Sequence, residues 1–239
     1  MSIQRFIRLL RQDISFELRH GMYTVYAVVC LCYVLLLRTL PESVSGWVLV
    51  CILFTDPTVL GFFFIGGMIL LERRQNTLAA VFCTPASVGE YLAAKCLSLS
   101  LLSLVTSVFI ALAGYGTALN WAVFIPAVVL ASVWCTLLSI PFAVQTGSLN
   151  EYFITAGGVL MVLCVPVVDF ILEFGWAVSW IFPTQAVVLL LKGTVFTITP
   201  GELAYSIIYL AGAVLVSWRI AERAVERHIV RNAGGGYVA

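Results

Sequence analysis

Glu72-Arg73-Arg74-Gln75-Asn76-Thr77-Leu78-Ala79-Ala80-Val81-Phe82-Cys83-Thr84-Pro85-Ala86-Ser87-Val88-Gly89-Glu90-Tyr91-Leu92-Ala93-Ala94-Lys95 is the stretch on which the reading of this chain turns. It is the longest polar interruption before the carboxyl end, and it separates two apolar runs, Val44–Leu71 and Cys96–Tyr115. Thr77–Phe82 has the pattern of one or two amphipathic helical turns, and Thr84-Pro85 breaks them. Ser87 with Glu90 three residues on is a capping-box pattern that starts the next helix. That helix would run through Lys95 into the following apolar run. The reading is a short helix lying across one membrane face between two spans, a piece able to pass force from a soluble partner into a bundle. An ordinary polar turn is the plainer alternative.

The composition supports a membrane setting. Of 239 residues, 62% are hydrophobic and 10% charged, and the mean hydropathy is +1.05. A soluble domain is about 45–50% apolar and about 25% charged, so this chain lacks the polar surface to cover a water-soluble globule. Disorder requires the opposite composition. A net charge of +1 gives no field that points to nucleic acid. The expected class is an all-α integral membrane protein forming a single transmembrane domain over residues 1–239.

Working outward, residues 1–20 carry Arg5, Arg8, Arg11 and Arg19 around an apolar stripe of Phe6, Leu10, Ile14 and Leu18. That pattern predicts an amphipathic interfacial helix. Six spans are expected: Met22–Leu37, Val44–Leu71, Cys96–Tyr115, Trp121–Val144, Phe153–Phe170 and Leu203–Trp218. Residues 174–201 hold sixteen apolar-rich residues, Trp176–Leu191, split by Pro183. The charges decide how to read them. With six spans and the amino end inside, the inner side carries eleven basic residues and the outer side only Arg38 and Lys192. That is a strong positive-inside bias. Trp176–Ile181 and Thr184–Leu191 are therefore predicted to be two short re-entrant helices in the outer leaflet, leaving residues 219–239 as a cytoplasmic tail.

Little in the chain suggests catalysis. His20 and His228 lie near the two ends, and no His-Glu-x-x-His, Gly-x-Ser-x-Gly or dinucleotide loop occurs. No catalytic residue and no metal site is predicted. The seven cysteines read as small buried hydrophobes. Nor is there a Gly-Lys-Ser or Gly-Lys-Thr, so any ATP-driven work needs an ATPase on another chain. Three acids invite a functional reading. Asp56 precedes Pro57 inside an apolar run and lies about 24 Å from Glu72 along a helix. It is either a helix cap or a carboxylate facing a cavity or partner subunit. Asp169 and Glu173 are four apart on one helix face near the outer boundary, where they could share a proton or bind a cation. Phe62, Phe63 and Phe64 are consecutive, so at least one must turn from lipid toward protein, and Gly66-Gly67 permits close helix approach.

The stretch from Asp56 to about Leu104 resembles the type-2 ABC exporter permeases. The matching residues are Glu72, Arg73 and Arg74, Thr77 and Leu78, Thr84 and Pro85, Glu90 to Leu92, and Lys95. Asn76 departs from the glycine common there. Asp56-Pro57 followed by Gly61-Phe62-Phe63-Phe64 is similar to permeases described as fluoroquinolone-type exporters. The resemblance implies two permease copies, identical or related, pairing with two ABC ATPase subunits that hold the ATP and magnesium. It implies a coupling helix of Thr77, Leu78, Val81 and Phe82 ended by Thr84 and Pro85. It also implies an inner gate of Glu72, Arg73, Arg74, Glu90 and Lys95, a pathway past Asp56 and Phe62 to Phe64, and an outer gate of Phe182 and Pro183 with Asp169 and Glu173. The expected cargo is apolar or amphipathic, moved outward across the cell membrane. A non-transporting membrane scaffold, or an ion- or proton-coupled transporter using Asp56, Asp169 and Glu173, stays open beside this reading.

Overall fold

The computed structural model describes residues 3–56, 61–75, 77, 78, 81 and 87–230. Every regular element among them is helical. In chain order they are α1 (Ile3–Arg19), α2 (Met22–Thr39), α3 (Glu42–Thr55), α4 (Gly61–Arg74), α5 (Val88–Ile110), α6 (Trp121–Gln145), α7 (Leu149–Leu163), α8 (Val165–Leu172), a 3-10 turn (Ala177–Ile181), α9 (Pro183–Val195) and α10 (Pro200–Val225). Wider π-type turns extend α5 over Ala111–Tyr115 and α10 over Glu226–Val230.

Five helical stretches are long and apolar enough to cross a membrane: Met22–Thr39, Val88–Tyr115, Trp121–Gln145, Leu149–Leu172 and Pro200–Ile229. Each contains or overlaps one of the predicted spans. The remaining one, Val44–Leu71, appears as two 14-residue helices, α3 and α4, on either side of residues 57–60. Each is about 21 Å long, too short to cross the roughly 30 Å hydrocarbon core by itself.

α6 is the hub, packing against α4, α5, α9 and α10. It stays helical through Pro126 and Pro141. The helices enclose two packed cores. One gathers Tyr26, Leu53, Phe124, Trp134, Val187 and Leu210 from α2, α3, α6, α9 and α10. The other gathers Phe62, Ile65, Met68, Leu92, Tyr152 and Val225 from α4, α5, α7 and α10. Side chains on the far side of α2, α5, α7 and α10, such as Leu35, Val105, Met161 and Ile208, are largely exposed apolar groups, the surface expected of helices facing lipid.

Three details fix the ends. The predicted capping box at the start of α5 is formed in both directions: Glu90 N–H donates to Ser87 Oγ and Ser87 N–H to Glu90 Oε2, each at 3.2 Å. A second box starts α10, with Thr199 N–H donating to Glu202 Oε2 at 2.8 Å and Glu202 N–H to Thr199 Oγ1 at 3.2 Å. Gly66 lets α4 meet α7, because a Cβ there would fall 1.9 Å from the Tyr152 ring. Gly67 has open space, so only the first glycine of the pair does that work.

Candidate functional site

The inner ends of α4 and α5 converge on a buried charge cluster. Lys95 is completely buried. Its Nζ donates to Asp13 Oδ1 of α1 at 2.6 Å and to Glu72 Oε1 of α4. Tyr91, one turn back on α5, donates its hydroxyl to Glu72 Oε2 at 3.0 Å. Arg73 turns the other way and donates to the carbonyls of Thr146 and Val144 at 3.1 and 3.4 Å. Those are unsatisfied acceptors at the carboxyl end of α6, where a cation is favoured. The two ends of the 72–95 stretch are thus tied to each other and to α6.

Glu17 completes the cluster on the α1 side. It is fully buried, and neither carboxylate oxygen has a hydrogen-bond partner among the described residues. Burial pushes its pKa up to about 7, helped by the Asp13 charge and opposed by the Ser98 hydroxyl, Lys95 and Tyr23. Burial likewise raises Asp13 to about 6 against the pull of Lys95. The face of α1 turned to the protein therefore carries Asp13 and Glu17. Leu18, assigned by the sequence pattern to the apolar stripe, is 58% exposed. Lys95, a buried ammonium on α5, meets that acidic side of α1, while the apolar stripe is left half-buried to exposed, as a surface facing lipid is.

The predicted gate and coupling residues separate into groups. Glu72 and Lys95 meet. Glu90 serves the α5 cap, and Arg74 is exposed. Thr77 donates to the Glu72 carbonyl at 3.1 Å. Leu78 is buried in the inner core, whereas Val81 is half-buried. Phe82, Thr84 and Pro85 lie outside the described residues.

Asp56 sits farther out. It keeps helical backbone angles and prolongs α3, its N–H donating to the Ile52 carbonyl. Its side chain crosses to α5, where Thr106 Oγ1 donates to Oδ2 at 2.9 Å. Asp56 is fully buried, and Oδ1 has no partner among the described residues. Of the three phenylalanines, Phe62 is fully buried and Phe63 and Phe64 are half-buried. Phe62 packs toward Phe142, Phe63 against Phe153, and Phe64 against Tyr26 with ring centres 5.1 Å apart.

At the outer end, Asp169 and Glu173 do not form a pair. α8 stops at Leu172, and Glu173 takes a left-handed conformation with φ of 52° and is exposed. Asp169 instead accepts from Trp176 N–H at 3.0 Å and Ser179 Oγ at 2.8 Å, holding the 3-10 turn. Phe182 caps α9 and Pro183 occupies its first turn. Tyr205 and Tyr209 of α10 donate to the carbonyls of Trp180 and Ile181 at 2.8 and 2.5 Å.

An all-helical chain with several apolar membrane-length helices, and with its polar groups gathered at helix ends and interhelical contacts, belongs to the class of multi-pass membrane proteins. Residues 4–233 match the fluoroquinolones export permease protein family, and the chain belongs to that family. Two relatives are called fluoroquinolones export permease proteins, one from Mycobacterium tuberculosis strain CDC 1551 / Oshkosh and one from strain ATCC 25618 / H37Rv. Each is 26% identical over 234 residues, covering 96% of this chain and 98% of the relative. The chain is therefore a transport component of the membrane.

Proposed function

We propose that this chain is the membrane-spanning subunit of an ATP-driven exporter that moves an apolar or amphipathic molecule, drug-like or lipid-like, out of the cytoplasm or inner leaflet. Two permease copies, identical or related, pair with two ABC ATPase subunits that bind ATP and magnesium. α3 and α4 together make one broken span, giving six. The 3-10 turn and α9 form the re-entrant outer pair, and both termini are cytoplasmic. The names of the relatives supply the drug-like cargo class, and the aromatic run Phe62 to Phe64 suits such a molecule better than a sugar.

The observation that carries this reading is the way residues 72–95 are anchored. Glu72 and Lys95 join the two ends of the stretch, Arg73 joins it to α6, and Leu78 seats it on the inner core. A push on the segment between them therefore loads α4, α5 and α6 together instead of bending a loose loop. That is what a coupling helix against an ATPase requires. Glu72, Arg73, Arg74, Glu90 and Lys95 then frame the inner end of the pathway, and Phe182, Pro183, Asp169 and Glu173 the outer end.

The test is co-expression with an ATPase chain bearing Gly-x-x-x-x-Gly-Lys-Ser/Thr encoded beside this one. The pair is expected to co-purify, with ATP hydrolysis stimulated by the permease. Phe82→Asp is expected to remove most of that stimulation while the permease still elutes as a folded species. Full stimulation in Phe82→Asp removes the coupling role. Transport by the chain alone, driven by a proton gradient, removes the ATP-driven reading.

A further inference from the structure

A recess of about 380 Å³ opens between α2 and α5, lined by Tyr23, Tyr26, Cys30, Leu102, Thr106 and Phe109 among others. Its wall is almost entirely carbon. Three of its lining side chains, Leu31, Val105 and Phe109, are exposed apolar groups, so the mouth faces the lipid side of these helices. Thr106 is part of the wall, and its hydroxyl is bonded to Asp56 on the far side. A carboxylate thus lies one side chain behind an apolar recess.

That carboxylate is incompletely served. Asp56 forms no ion pair among the described residues, and its Oδ1 accepts no hydrogen bond from them. The Ser107 hydroxyl, next to Thr106 in the chain, is also buried and without a hydrogen-bond partner among the described residues. Burying a carboxylate beside a hydrocarbon surface is costly unless a cation or a proton neutralises it. The recess offers room for the first solution once the Thr106 side chain, which separates it from Asp56, turns aside. A second apolar recess, along Trp47 and Cys51, has no charge in its wall, and a larger one around Arg219 and Glu222 is a surface groove.

Thr106 provides the route. Its hydroxyl has one proton and three acceptors within reach: Asp56 Oδ2 at 2.9 Å, Ser103 O at 3.0 Å and Leu102 O at 3.1 Å. Turning that proton to a backbone carbonyl keeps a hydrogen bond for Thr106 and frees Asp56 Oδ2 for another donor. We infer that the α2–α5 recess binds an amphipathic monocation, with its ammonium on Asp56 and Ser107 and its apolar body between Tyr26, Leu102 and Phe109. The inference rests on the export reading for its purpose, since it names the cargo chemistry, but its test does not require transport.

The probe pair is dansylcadaverine, a primary ammonium on a fluorescent apolar body, and its neutral N-acetyl derivative. Binding is followed by dansyl fluorescence on the purified full-length protein in lipid nanodiscs. Saturable binding of the cation is expected, at least tenfold tighter than that of the neutral probe. Asp56→Asn is expected to remove that preference and leave the neutral probe unchanged. On the unmodified protein, lowering the pH is expected to weaken the cation alone, because protons compete for Asp56; this arm does not depend on the variant folding. Equal binding of the two probes, or an undiminished preference in Asp56→Asn that elutes as folded protein, overturns the site. A working ATP-driven exporter indifferent to probe charge and to Asp56→Asn removes the site and keeps the export reading. Specific cation binding by a chain that exports nothing with its ATPase does the reverse.

Discussion

α5 carries two buried polar sites about eleven residues apart, roughly 16 Å along the helix, and they are built in opposite ways. At Lys95 the counter-charge is part of the fold: one ammonium is shared by Asp13 and Glu72, with Glu17 alongside. At Thr106 an equally buried acid, Asp56, has a single hydroxyl donor and no cation among the described residues. An ion pair built into the fold holds helices together, even with Glu17 beside it unmet by the described residues. A carboxylate with no cation among the described residues and one unmet oxygen can still accept a donor. The first arrangement is what an anchoring point needs, and the second is what a binding point needs.

The sharpest way to break this contrast is Lys95→Met. It strands two buried carboxylates, Asp13 and Glu72, and removing one partner of a buried ion pair costs about 3–5 kcal/mol. The expected result is a large loss of folded, monodisperse protein, recovered in part by adding Asp13→Asn and Glu72→Gln. Unchanged thermal stability would show that the cluster anchors nothing. Next in size is Asp169→Ala at the outer end. It orphans the Trp176 N–H, while the Ser179 hydroxyl keeps the Trp176 carbonyl as its acceptor, a loss of about 1 kcal/mol, read as a lower unfolding midpoint and faster proteolysis near residues 174–182.

Smaller is the effect of pH on α1. Glu17 and Asp13 have ordinary values of 4.5 and 3.8, raised to about 7 and about 6 in the docked helix. An acid with a raised value binds protons more tightly in the docked state, so docking strengthens as pH falls from about 7 toward about 4 and is weakest above 7. A spin label at the exposed position 8 is expected to lose mobility as pH drops from 8 to 5, and Glu17→Gln to flatten most of that change. Increased mobility on acidification would invert the account. Smallest of all is the effect of Asp56→Asn on stability. No ion pair is lost, so the unfolding midpoint should move by less than about 1 kcal/mol in equivalent terms. A drop as large as that of Lys95→Met would mean that Asp56 is an anchor too.

Much of the helical layout was legible from apolar run lengths, because a membrane-length run leaves few alternatives to a helix. Ser87 and Glu90 announced the start of α5, and the capping box formed as the spacing implied. The orientation of α1 was not legible. Its Asp13 meets Lys95, 82 residues away in the chain, and helical periodicity contains no long-range term. The pairing of Asp169 with Glu173 failed for a local reason: the helix ends between them, and Ser179 offers Asp169 a better partner than a second carboxylate. Thr106 and Ser107 escaped notice because a threonine and a serine in an apolar run give no signal until a carboxylate from another helix lands beside them. Thr199 and Glu202 did carry a readable capping signature at the start of α10.

α10 with its extension runs 30 residues, Pro200–Ile229, or about 45 Å against a hydrocarbon thickness of about 30 Å. Near one end its tyrosines grip the carbonyls of the 3-10 turn. Toward the other, Ala221, Val225 and Ile229 belong to the same packed core as Leu78. A continuous rod therefore links the proposed coupling segment to the proposed outer gate. If the rod pivots near its middle, displacement at one end appears at the other with opposite sense and without delay, as across a rocker arm.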